Sequence, residues 1–226
     1  MKRAFAAPFA APMFAGAFAA TLAVAPLATP ALAQKGAAPV VANIHPDLKR
    51  VNDYIRAIDT MTADFVQTDR NGQVLNGQLT LKRPGRIRFQ YQKGVPLLIV
   101  GDGKALTMID YEVRQVQRWP IKNSPLGVLL DPDRDFSRYG KVIAGGNPNV
   151  FTVDARDPRH PEYGTISLIF TRKPGAPAGI ELFGWVSLDA QNNRTSIRLS
   201  NHRYGVPVAD TVFKWRDPRP TGPRAR

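Results

Sequence analysis

Between residues 46 and 58 the apolar positions recur with a helical period. Leu48, Val51, Ile55 and Ile58 fall on one stripe, charges occupy the opposite side, and Pro46 stands where a first-turn proline is tolerated. The spacing predicts an amphipathic helix over 46–58, and a helix with one apolar side must lie on something. From Met61 the period changes to two. The segments ADFVQTD, VLNGQLTLK, RIRFQYQ, PLLIVGD, KALTMIDYE and VRQVQRWP follow at short spacing. Turn pairs separate them, including Asn71-Gly72, Pro84-Gly85, Lys93-Gly94 and Asp102-Gly103. After a break the alternation resumes in NVFTVDA, GTISLIFTR, IELFGWVSLDA, TSIRLSNHRYG and ADTVFKW. Antiparallel strands joined by hairpins produce this pattern. About eleven strands with mostly local connections predict a large curved sheet or an incomplete barrel.

The break itself reads NSPLGVLLDPDRDFSRY. Ser124 can cap a helix whose first residue is Pro125, with Leu126, Leu129 and Leu130 supplying its apolar side, and Pro132 stops it. Gly127 weakens that helix by roughly 1 kcal/mol relative to alanine. A second helical turn is expected over 134–139. One strand in the first half asks a sharper question. In RIRFQY, Ile87, Phe89 and Tyr91 share one face while Arg86, Arg88 and Gln90 share the other, so the arginines read as ordinary outward charge. Lys82 and Arg83 stand at the break before Pro84, where an apolar face ends. Lys82 reads as a solvated charge. From the residues alone Arg83 reads as decorating a strand end or meeting a headgroup phosphate.

Composition narrows the setting. The chain has 226 residues and no cysteine, so no disulfide can form and burial must supply stability. It opens with MKR, runs apolar and small from Ala4 to Ala33, and offers an A-x-A site at Ala31-Leu32-Ala33. These are the marks of a cleaved secretory leader over 1–33, with a retained membrane anchor as the alternative. Its removal leaves 193 residues, and loss of Lys2 and Arg3 lowers the formal charge from +13 to +11. An exported protein so basic can meet anionic membranes, acidic partners or nucleic acid. Residues 34–45 read as a flexible lead-in, 46–216 as one domain, and the proline-rich basic tail 217–226 as disordered.

Catalytic and metal chemistry find no footing. His45, His160 and His202 share no ligand spacing, and zinc sites want clustered Cys and His. DPDRD at 131–135 resembles the start of a calcium loop, but Phe136 and Val142 stand where that loop needs Gly and an acid. GDGK at 101–104 lacks the glycine and the Ser or Thr of a phosphate loop, and there is no G-x-S-x-G elbow. No cofactor is expected.

LTLKRPGRIRFQY, then PLLIVGDGKALTMIDYEVRQV, then SPLGVLL resemble, in order and spacing, the periplasmic outer-membrane lipoprotein carriers of the LolA family. The resemblance covers roughly 46–215. It implies a mainly β fold with some α: an open antiparallel half-barrel closed by a lid of short amphipathic helices over an apolar cavity for acyl chains. It implies that Arg83 is the lid latch, bonding to lid backbone. The helices 46–58 and 124–130 would be the lid, and Leu79, Leu81, Ile87, Phe89 and Tyr91 would line the cavity. Ile87, Phe89 and Gln90 depart from the residues common in the family, which there are often Phe, Trp and an acid. The implied function is a non-enzymatic monomeric periplasmic chaperone of a Gram-negative bacterium. Its partners would be acylated lipoproteins, an inner-membrane ABC-type release complex and an outer-membrane acceptor, with no role for nucleic acid.

Physical chemistry gives that design a reason. Burying a methylene is worth roughly 0.8 kcal/mol, so a chain of about fifteen carbons carries near 12 kcal/mol and cannot cross water unaided. An empty apolar face of that size invites aggregation unless something covers it. A guanidinium has five donors, enough to satisfy orphan carbonyls at more than one helix end. Two other readings remain at this point: a binder or sensor of another lipid on the same fold, and a secreted enzyme or polyanion-binding β-domain that would stack ligand on Trp119, Trp185 or Trp215.

Overall fold

The computed structural model describes residues 45–220 except 122–123, 125, 131–134, 157–163 and 190. The expected leader, the lead-in up to residue 44 and the last six residues of the tail lie outside them. Helix α1 runs Pro46–Ala57, one residue shorter than its spacing predicts. Six strands follow: β1 (Thr60–Thr68), β2 (Val74–Lys82), β3 (Arg86–Tyr91), β4 (Leu97–Asp102), β5 (Ala105–Asp110) and β6 (Gln115–Pro120). Two single-turn helices, α2 (Gly127–Leu130) and α3 (Phe136–Tyr139), lead into β7 (Gly140–Ala144) and β8 (Val150–Ala155). The chain closes with β9 (Thr165–Arg172), β10 (Ile180–Leu188) and β11 (Arg194–Tyr204).

All eleven strands form one antiparallel sheet in the order β6-β5-β4-β3-β2-β1-β11-β10-β9-β8-β7. Every neighbour is a hairpin partner except β1 and β11, whose pairing sets Phe65 opposite Leu199 and joins the two halves. The edge strands β6 and β7 do not meet, so the barrel stays open. One buried cluster unites inward residues of the sheet with Leu48, Val51, Ile55, Leu126, Leu130 and Phe136 of the helices, so the sheet wraps around them. The fold is therefore a mainly β, open half-barrel with short helices against its inner face. Close packing there needs a missing side chain at Gly77, where a Cβ would stand 2.6 Å from the Phe65 ring and strike the Gln90 carbonyl. Phe65 instead meets Phe89 and Tyr91 edge-on, at 5.4 and 5.2 Å between centroids. A bulge between Leu182 and Gly184 turns Phe183 outward and returns Trp185 to the interior.

The count of eleven conceals one gain and one loss. GKVIA forms β7, which the alternation does not announce because it is only five residues long. ADTVFKW is not a strand. Its Asp210–Phe213 stretch is a 3-10 turn within a strap that crosses the outer face of β2–β5. Phe213 is 9% exposed and packs with Leu98, Val100 and Ile109. The outward cations hold the strap. Lys82 Nζ donates to the Val208 carbonyl (2.8 Å) and to Asp210 (2.6 Å), where Arg86 joins it (2.6 Å). Arg88 Nη1 donates to the Val212 and Lys214 carbonyls at 2.9 and 3.2 Å. Lys82, Arg86 and Arg88 are thus not solvated decoration, because the face they stand on is covered. Of the tryptophans, Trp185 is buried, Trp119 is half-buried against the main core and Trp215 is half-buried against the strap cluster.

Candidate functional site

The residues expected to form a lid and those expected beneath it lie in one core. Leu48, Val51, Ile55 and Ile58 on and just after α1 are buried, as are Leu126, Leu129 and Leu130 at α2. They share a cluster with Leu79, Leu81, Ile87, Phe89 and Tyr91 of β2 and β3. Ser124 caps the turn before α2, its Oγ accepting from the Leu126 amide at 3.2 Å.

Helix α1 is fastened at three levels. At its start Asp47 takes both guanidinium nitrogens of Arg172 on β9, at 3.0 Å each, and Arg50 at 2.9 Å. Burial alone would raise the Asp47 carboxyl, but bonds and charge from Arg172 and Arg50 outweigh it and hold the group below its ordinary value. Midway, Asn52 donates to Asp135 (2.9 Å) and accepts from the Phe136 amide (2.9 Å), clipping α1 to α3. Opposite, the Tyr54 hydroxyl accepts from the Leu182 amide (3.3 Å) and shares a hydrogen bond with Tyr204 (3.1 Å). Burial raises both hydroxyls, Tyr204 to about 12, so both stay protonated at neutral pH.

The third level is Arg83. Its Nη1 donates to the Leu130 carbonyl at 2.8 Å and its Nε to the Ile58 carbonyl at a long 3.4 Å. Leu130 ends α2, and Ile58 follows α1, so one guanidinium satisfies carbonyls that helix ends leave without intrahelical donors. Helix α2, by contrast, is a single turn whose Leu129 and Leu130, with Leu126 just before it, are buried and whose last carbonyl accepts from Arg83. The geometry makes α2 the cheaper element to displace.

Between the helices and the inner sheet face, two small voids lie among the described residues. One void of ≈ 10 Å³ is lined by Tyr54, Ile58, Leu81, Arg83, Leu129 and Trp185, with Leu79 and Ile87 also on its wall. A second void of ≈ 10 Å³ lies among Gln67, Phe89, Leu126, Trp185, Ser187 and Thr195. Each has room for about one water. Both voids are too small for an acyl chain, and among the described residues Leu129 and Trp185 stand on the wall of the first and Leu126 and Trp185 on that of the second. Of the expected lining residues, Leu79, Leu81 and Ile87 face the first void and Phe89 the second. Tyr91 lines neither, and its hydroxyl donates to Gln67 at 2.7 Å. Among the described residues no cluster of three or more His, Cys, Asp or Glu could hold a metal.

Sequence reasoning missed Asp47, Asn52, Tyr54, Gln67, Arg172 and Trp185. Tyr54 was within reach, lying three residues from Val51 on the same stripe. The pairing of Asp47 with Arg172, 125 residues away, left no local signal.

The family model described as "Outer membrane lipoprotein carrier protein LolA" matches residues 56–216. The chain belongs to this family. Among its relatives, an outer-membrane lipoprotein carrier protein of Chromobacterium violaceum is 28% identical over 200 residues, covering 85% of this chain and 93% of the relative. A protein of the same description from Dechloromonas aromatica is 28% identical, covering 75% and 83%. An uncharacterized Rickettsia prowazekii protein reaches 32% over 108 residues, 46% of this chain and half of its own length. Among solved structures, a LolA superfamily protein of Nitrosomonas europaea aligns over 74% of this chain and 96% of its own, at 9% identity and a TM-score of 0.44.

Proposed function

We propose that this chain is a periplasmic carrier that hides the acyl chains of lipoproteins between its inner sheet face and its helical lid, and moves them from inner to outer membrane. One observation carries the reading: Arg83 joins the carbonyls ending both lid segments directly above an apolar face. In the empty protein the leucines of α2 stand in for the guest. Loading exchanges them for acyl chain, the clasp breaks, and the same residues drive the guest out when an acceptor offers it a better site. A carrier of this kind binds and releases and needs no catalytic group. With no nucleotide-binding motif in the chain, the work of loading falls to an inner-membrane ABC-type release complex, and an outer-membrane acceptor completes the transfer. The excess of basic residues favours docking to acidic partners, an attraction that weakens with salt.

The test is extraction. Purified protein lacking residues 1–33 is added to inner membranes that carry the release complex and a tagged lipoprotein. The lipoprotein should appear in the soluble fraction bound one to one. If it stays in the membrane while the complex is active, or if the protein co-purifies only with a different lipid, the carrier reading fails.

A further inference from the structure

The inner face is apolar almost throughout, and its exceptions are concentrated at one end. Along β1 the inward series runs Met61, Ala63, Phe65 and then Gln67; along β11 it runs Leu199, Ile197 and then Thr195. On β10 Trp185 is followed inward by Ser187, which pairs with Thr195. All three polar residues sit beside the hairpin turns 69–73 and 189–193, away from Arg83. They are 6, 3 and 5% exposed, in the order Gln67, Ser187, Thr195.

Their hydrogen bonding is incomplete. Gln67 Oε1 accepts from the Tyr91 hydroxyl at 2.7 Å, which fixes the amide and turns its two N–H donors the other way, where no group among the described residues accepts them. Thr195 Oγ1 has no hydrogen-bond partner among the described residues, only its carbonyl meeting a neighbouring side chain. Ser187 Oγ reaches only the Thr195 carbonyl, at 3.4 Å. All three residues line the void that Leu126 roofs. Their polar atoms open onto that void, which has room for about one water, whereas apolar side chains fill the neighbouring rows. A core that served packing alone would carry Leu, Val and Ala here.

We propose that Gln67, Ser187 and Thr195 form a subsite for the carbonyl groups that join acyl chains to their glyceryl head. This rests on the carrier reading and deepens it. The donors match the chemistry: ester and amide carbonyls only accept, whereas the hydrocarbon beyond them offers nothing to bond. Burial raises the Tyr91 hydroxyl, so it remains a donor and keeps the Gln67 N–H groups aimed at the guest. The subsite therefore gives the guest a direction, with linking carbonyls at the hairpin-turn end and hydrocarbon tails toward Arg83. Lifting Leu126 opens the void to it.

The experiment compares a dipalmitoylglyceryl-cysteine peptide with its dihexadecyl ether counterpart, which lacks the two carbonyls. Competition against a fluorescent lipopeptide gives both affinities. The natural sequence should prefer the ester by about tenfold or more, at roughly fivefold for each hydrogen bond. In the variant Gln67→Met, Tyr91→Phe, Ser187→Ala, Thr195→Val the ratio should fall to near one, and in the isosteric single variant Thr195→Val it should fall about fivefold. Melting temperatures should hold, because Thr195 Oγ1 bonds to no described group and the Tyr91–Gln67 bond loses both of its partners together. Equal affinity of the natural sequence for both probes overturns the subsite and leaves the carrier reading standing, as does a ratio that survives the substitutions. A marked loss of melting temperature in Thr195→Val assigns the residue to structure and also overturns it. If neither probe binds the natural sequence, the carrier reading falls and takes the subsite with it.

Discussion

Replacing Arg83 by Leu removes the bond to the Leu130 carbonyl and the longer one to Ile58. A charge-assisted bond at 2.8 Å contributes about 1.5–3 kcal/mol, and the 3.4 Å contact adds little. The closed state should lose roughly 2 kcal/mol, a factor of about thirty. That loss cannot open the lid in water. Leu126, Leu129 and Leu130 together stabilise closure by about 5–9 kcal/mol at roughly 1.5–3 kcal/mol each. It does change the balance with a guest, because a single chain of about fifteen carbons brings about 12 kcal/mol to the same surface. The empty variant should therefore stay closed, with amides 126–130 exchanging about thirtyfold faster than in the natural sequence. A bound fluorescent lipopeptide should be retained about thirtyfold more tightly, because releasing it no longer restores the clasp. Arg83→Lys, a point donor without the planar fork, should fall between. Hydrogen exchange reads the first effect and displacement by excess unlabelled lipopeptide the second. If Arg83→Leu leaves both at their natural values, the guanidinium is not the clasp.

Two further substitutions probe how the frame is held. Asp47→Asn should lower stability by about 1–2 kcal/mol, since Asp47 is buried but Arg172 is partly exposed and screened. Because the folded carboxyl is depressed, its contribution is complete above the ordinary value of 3.8 and disappears as pH falls through the lower folded value. Urea midpoints of the two proteins should differ at pH 7, and the gap should begin to close only below the ordinary carboxyl value of 3.8 and vanish as pH passes the lower folded value; a gap that stays constant through that fall would show that the ion pair is not the cause. Phe213→Ala should cost about 3 kcal/mol and make the chain cleavable at Lys214 or Arg216 before the barrel is attacked. An unchanged midpoint with a resistant strap would show that the outer cluster is not integral.

The elements that bury one face were legible. Helix α1 appeared because Leu48, Val51, Ile55 and Ile58 keep the helical period, and ten strands appeared because alternation records a half-buried surface. The same signal misread residues 209–215, where Val212, Phe213 and Trp215 pack against an outer face without a ladder partner. Alternation reports that a side is covered and not what covers it. For that reason Lys82, Arg86 and Arg88 looked like solvent-facing charge, when 206–214 lies across them. At the lid, the expected apolar residues were found together, yet their spacing could not tell a roofed pocket from a filled one. That distinction depends on how far Leu129 and Trp185 reach inward, which is a matter of packing. The polar trio at the far end was invisible because Gln67, Ser187 and Thr195 lie on two separated stretches of chain and converge only through the β1–β11 and β10–β11 ladders.

Arg83 and Arg88 share a habit: both grip main-chain oxygen, one at the lid and one at the strap. The identity of the residue being gripped is then nearly irrelevant, since every amino acid carries the same handle. A saturation scan of the gripped positions should find broad tolerance wherever size and greasiness are kept, while the two arginines admit almost no substitute. The gripped segments are free to drift in sequence without unfastening the molecule, and variation between members of the family should collect on the held side of each contact.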